Sequence, residues 1–77
     1  MSDKATYGIH SAESIGSAIR HFRLQAGLSQ AELAERAGLN RTYVSTLEQG
    51  RENEQLRRIL RILKQLDVSV ALQKGRR

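Results

Sequence analysis

Gly38 stands between two stretches of helical periodicity, each too short to persist alone in water. Upstream, Ser29 and Glu32 have the spacing of a capping box, in which each side chain satisfies a free backbone N–H of the other. Glu32 and Arg36 are placed for a favourable i,i+4 pair, and Leu33, Ala34 and Ala37 supply an apolar face. Downstream, Asn40 suits the N-cap of a helix running to about residue 49, with Val44 and Leu47 facing inward. Such helices hold their shape only by packing on one another. Gly38 then makes the tight turn, Ala34 lies at the closest approach, and Leu39, Val44 and Leu47 hold the second helix against the rest. A helix-turn-helix meets these demands. Its outward face is Asn40, Arg41, Thr42, Tyr43, Ser45, Thr46 and Gln49, rich in groups that bond base edges or phosphates. The plainer alternative is a helical hairpin with a polar surface.

The flanking segments extend the pattern. Residues 1–10 show no period and read as a mobile arm. From Ser11, an N-cap with Glu13 in the first turn, Ile15, Ala18, Ile19, Phe22 and Ala26 recur at helical spacing as far as Gly27. Gly50 closes the third helix. Asn53 is placed to cap a fourth, with Glu54 at its first position. Leu56, Ile59, Leu60, Leu63 and Leu66 share one face of that helix, and Ile62 widens the stripe beyond what one domain needs. After Leu66 the period drops to two: Val68, Val70 and Leu72 alternate with Ser69, Ala71 and Gln73, which predicts a strand over 67–73. A lone strand needs a partner. With no second strand signal in the chain, the same strand of a second copy across a twofold axis is the expected one. Residues 74–77 form a basic, disordered tail. The expected fold is all-α: a helix-turn-helix bundle of about four helices over 11–66, plus a short C-terminal strand pairing across a homodimer through Ile62, Leu66, Val68, Val70 and Leu72.

At 77 residues one domain is the reasonable count, and it buries only roughly 60% of its unfolded surface. The chain has no cysteine and only His10 and His21, so neither disulfides nor a metal site is expected, and oligomerisation is the remaining source of stability. No apolar run approaches a membrane span and no leader is evident, so a soluble, cytoplasmic protein is expected. Net charge is +5. Residues 1–38 are neutral and the whole excess falls in the second half, which points to a polyanion such as nucleic acid. No nucleophile–base pair, metal cluster or phosphate-cradling loop suggests an enzyme, and no cofactor is expected.

The run Gly27-Leu-Ser-Gln-Ala-Glu-Leu-Ala-Glu-Arg-Ala-Gly38-Leu-Asn-Arg-Thr-Tyr-Val-Ser-Thr-Leu-Glu-Gln-Gly50 resembles the helix-turn-helix of the Xre and phage Cro/repressor family, lambda-repressor-like in fold, from about Ile15 to Leu66. The ending from Ile62 to Leu72 is similar to HipB-type antitoxins, in which a helix leads into a strand that pairs between subunits. The resemblance implies a repressor of double-stranded DNA that binds an inverted-repeat operator as a homodimer. It implies major-groove contacts by Asn40, Arg41, Thr42, Tyr43, Ser45 and Thr46. Arg41 is the best candidate for direct readout, since a guanidinium grips guanine O6 and N7 together. Tyr43 departs from the small or amide residues of the family and could stack on a sugar or press a thymine methyl. Gln30 matches a phosphate contact, Arg51 a basic position near the backbone, and Arg23 with Glu48 an ion pair orienting the recognition helix.

Arg57, Arg58, Arg61 and Lys64 leave three readings open: a solvated face, phosphate contact by Arg57 and Arg58, or docking of an acidic partner. The antitoxin resemblance implies autoregulation of an operon and a kinase-like HipA toxin as partner. A stand-alone or restriction-modification controller is the alternative within the class, and a helical protein-interaction module the alternative outside it.

Overall fold

Each helix of this chain ends on the same backbone device, and those endings set its architecture. In a computed structural model, which describes residues 6–51 and 54–75, the elements run β1 (Thr6–Ile9), α1 (Ala12–Gln25), α2 (Gln30–Ala37), α3 (Arg41–Glu48), α4 (Glu54–Gln65) and β2 (Val70–Gln73). After each helix one residue turns left-handed: Gly27, Gly38, Gly50 and Asp67. The amide of the next residue then reaches back five positions. Leu28 donates to the Arg23 carbonyl, Leu39 to Ala34, Arg51 to Thr46 and Val68 to Leu63, at 2.8–3.3 Å. This is the Schellman closure, which satisfies carbonyls the helix would otherwise orphan. At Gly38 (φ 70°) it joins the two short helices α2 and α3 through a tight turn. Asp67 performs the same role at φ 58°, a conformation that Asp tolerates better than most residues. It explains why β2 starts at Val70 rather than directly after α4.

The helix starts agree with the sequence. Ser11 and Ser29 each close a capping box, and the Asn40 side chain accepts from the Thr42 amide at 2.7 Å. The partner of Ser11 is Ser14, a pairing the Glu-centred pattern did not suggest. The expected cap Asn53, residues 1–5 and the tail residues Arg76 and Arg77 lie outside the described residues.

The core is small: among the described residues Ala18, Ala34, Val44 and Ile9 are its buried apolar side chains. Ile9 corrects the expectation of a mobile arm. Thr6–Ile9 is rich in strand formers, and it pairs antiparallel with β2 in the register Tyr7↔Leu72 and Ile9↔Val70. Tyr7 packs on His21 and Phe22 of α1, with ring centroids 4.7 and 5.4 Å away. The partner of β2 is therefore β1 of the same chain, not a second copy as expected. Four residues are too few for a period of two to stand out. Val70 and Leu72 alternate with exposed Ala71 and Gln73 and share the sheet face of Ile9 and Tyr7, where they are half-buried within this chain. Leu39, expected inside the turn, is 50% exposed.

Two glycines bring α1 and α3 into backbone contact. A Cβ on Gly16 would overlap the Leu47 carbonyl oxygen and stand 3.0 Å from that of Glu48. One on Gly50 would stand 2.9 Å from the Glu13 Cα. Helix α4, by contrast, buries none of its side chains fully: Leu56, Leu60 and Leu63 are half-buried, while Ile59 and Ile62 are exposed, as is Leu66 just beyond its end.

Helix propensity favours Gly16→Ala by about 1 kcal/mol, yet the clash with rigid backbone dominates. The variant is expected to lose roughly 1–3 kcal/mol of stability, and equal or raised thermal stability would show that α1 and α3 do not touch there.

Candidate nucleic-acid interface

The first turn of α3 presents its side chains because only one of them is needed inside. Val44 is 3% exposed, which turns Asn40, Arg41, Thr42 and Tyr43 to solvent. One turn on, Ser45 and Thr46 are half-buried, and the Gln49 amide donates to the Ser45 hydroxyl at 3.2 Å. The Asn40 oxygen is committed to the cap, which leaves its amide N–H groups as donors. Arg41 takes part in none of the ion pairs among the described residues. Five free N–H donors thus stand at the start of the helix, where the dipole also favours an anion.

What orients α3 is a clamp from α1. Arg23 Nε donates to Glu48 Oε2 at 2.6 Å and Nη2 to Oε1 at 3.0 Å, a bidentate fork. The two side chains are 8% and 3% exposed. Arg23 Nη1 donates to the Leu28 carbonyl at 2.8 Å, and Gln30 Nε2 donates to Glu48 Oε1 at 3.1 Å. One carboxylate at the end of α3 therefore ties down α1 and the start of α2. The Arg23 hydrogen bond, opposed by burial and helped by Gln30, holds the Glu48 carboxyl below its usual range. The same bond raises the Arg23 guanidinium above its already high value. Glu32 is also lowered, by the Ser29 backbone and then side-chain hydrogen bonds of its capping box. The Gln30–Glu48 bond was not legible in the sequence. It leaves one N–H of the Gln30 amide for an anion.

The basic residues fall into separate groups. Arg51 is exposed just past the end of α3. Arg57 and Arg58 both pair with Glu54, at 3.3 and 3.2 Å, in exposed geometry worth little energetically. They diverge beyond it: Arg57 lines a cleft with His10, Leu60, Arg61 and Lys64, whereas Arg58 lines another with Arg61, Ile62 and Gln65. Of the residues expected at a dimer contact, Ile62 (60%), Leu66 (64%) and Val68 (50%) are exposed together with Ile59 (45%). Val70 and Leu72 are not part of that surface. No helix among the described residues is long and apolar enough to cross a membrane.

Because the folded Glu48 carboxyl titrates below the usual 4.5, its stabilisation is complete above that value and is lost as pH falls through the folded one. Glu48→Gln leaves the Arg23 charge without its counterion and is expected to cost roughly 3 kcal/mol at pH 7. In denaturant titrations the gap to wild type should close as pH falls below 4.5; a gap that stays constant would show that the carboxylate is not the source.

The comparisons with known proteins agree with this geometry. A family described as Helix-turn-helix domain matches residues 14–74. A protein named Neisseria hypothetical transcription factor, from Neisseria meningitidis serogroup B, is 45% identical over 51 residues, covering 66% of this chain and 48% of the relative. Antitoxin HipB of Escherichia coli O6:H1 is 31% identical over 64 residues, covering 83% of this chain and 68% of that protein. The chain thus spans about half the length of the first relative and two-thirds of the second. No solved structure matches at comparable significance. A matched family covering α1 to β2, on a bundle with a polar, N-capped α3, places this chain in the Xre-like helix-turn-helix family of DNA-binding, transcription-factor-like proteins.

Proposed function

We propose that the chain is a dimeric repressor that reads an inverted-repeat operator with α3 and serves as the antitoxin of a HipBA-like module, controlling its own operon. The observation that carries the DNA reading is the exposed start of α3, with unpaired Arg41 between Asn40 and Thr42, held rigidly by the Arg23–Glu48 clamp. On this reading Arg41 grips a guanine, and Asn40, Thr42, Tyr43, Ser45 and Thr46 complete the groove contacts. Gln30, Arg51, Arg57 and Arg58 fix the backbone. The likeness to antitoxin HipB supports the module, with a kinase-like toxin as its partner. A controller of the stand-alone or restriction-modification kind is the second reading, and a co-purification from cells expressing the neighbouring gene decides between them. Recovery of no kinase-like protein would reject the antitoxin role and leave the repressor intact.

The copies meet, on this proposal, through Ile59, Ile62, Leu66 and Val68, which one chain leaves in water. Exposed apolar side chains grouped along one helix and the turn after it suit a contact between copies. Leu66→Asp is expected to shift sedimentation to the monomer with the fold retained; an unchanged dimer would move the interface elsewhere.

Selection from a randomised duplex pool should return two half-sites about 34 Å apart. Affinity should fall with salt at a slope of about −0.9 per phosphate neutralised. Arg41→Ala should cost roughly 1–3 kcal/mol and relax one base position. An equal loss on every sequence would make Arg41 a phosphate anchor. Sequence-blind, salt-insensitive binding would favour a protein-interaction module instead.

A further inference from the structure

Two large apolar side chains stand in water beside the cation that the preceding reading places on a base. Leu39 is 50% exposed and Tyr43 is 46% exposed. One immediately precedes the Asn40 N-cap and the other is the third residue of α3, so they bracket Asn40, Arg41 and Thr42. Tyr43 is outside the ring cluster of Tyr7, His21 and Phe22. The Leu39 side chain has no group that could hydrogen-bond, and its amide is already spent on the Ala34 carbonyl. What the pair offers is apolar surface, within one turn of an unpaired guanidinium.

The major groove offers one apolar group for such a surface, the 5-methyl of thymine; 5-methylcytosine carries the same methyl at the same position of a C·G pair. A guanidinium with apolar side chains before and after it matches a step in which a 5-methylpyrimidine adjoins a guanine. A sugar or phosphate contact by Tyr43 would use its ring or hydroxyl alone and would not account for Leu39. We propose that Tyr43, with Leu39, reads the 5-methyl group of a pyrimidine next to the guanine gripped by Arg41. The half-site then carries thymine–guanine or 5-methylcytosine–guanine at that step, and cytosine methylation there strengthens binding. The inference rests on α3 being the recognition helix.

The test uses the full chain and the operator recovered by selection. At the pyrimidine beside the guanine whose preference Arg41→Ala relaxes, duplexes carry thymine or uracil, and in a second set cytosine or 5-methylcytosine. Members of each set differ by one methyl group. Wild type should bind each methylated member about fourfold more tightly, the value of one buried methyl. Tyr43→Ala should bring that ratio to one while its guanine preference stays, with circular dichroism confirming the fold. Wild type that ignores the methyl overturns the proposal without any variant. A Tyr43→Ala loss equal on methylated and unmethylated duplexes also overturns it, in favour of sugar stacking. A pool that enriches no operator rejects the recognition-helix reading, and this inference with it; an operator that is found but methyl-blind rejects this inference alone.

Discussion

The carboxylate of Glu48 receives two bonds from Arg23 and one from Gln30, and the orientation of α3 follows from them. A core with so few fully buried side chains leaves an eight-residue helix free to roll and slide. Two further constraints remove those freedoms. Gly16 lets α1 meet the end of α3 backbone to backbone, which fixes their separation. The forked pair then fixes rotation, because a planar guanidinium accepts a carboxylate in few geometries. A pair this buried is weak evidence for net stability; its effect is on geometry. Groove recognition needs that, since base edges discriminate only when side chains arrive in register.

The parts legible in the sequence are those that depend on neighbours a few residues away. Ser29, Asn40 and Gly38 announce helix ends through their own backbone chemistry, and the burial of Val44 fixes which side chains of α3 face out. The parts not legible depend on segments that meet only in the fold. Gly16 reads along the chain as a weak spot in α1 and becomes a contact point only once α3 lies against it. Ile9 sits in a stretch too short to show alternation, yet β2 turns it into core. Asp67 carries no glycine signal although it adopts the same left-handed turn. In the site, the ion pair is readable from family likeness, whereas the Gln30 bond and the exposure of Leu39 arise only when the helices meet.

Helix α4 differs in kind from the other three. Its half-buried side chains are Leu56, Leu60 and Leu63, and its remaining apolar residues are exposed on the side of Arg58 and Arg61. Elements with little buried contact lie at the low-stability end of a protein's opening spectrum. The order of α4 in a free chain is therefore set more by its tethers, the Gly50 turn and β2, than by packing.

Those tethers matter because of where β2 ends. Its pairing with β1 joins positions as far apart in the sequence as Thr6 and Gln73, enclosing every helix in one closed circuit. Closing so long a circuit costs entropy that must be met before the sheet returns any energy. The local helical turns carry no such cost, so the clasp is the element of this fold with the largest closure entropy to overcome. Its loosening would unseat Ile9 and Tyr7 from α1 together, so a disturbance at the C-terminal strand is felt at the opposite end of the chain.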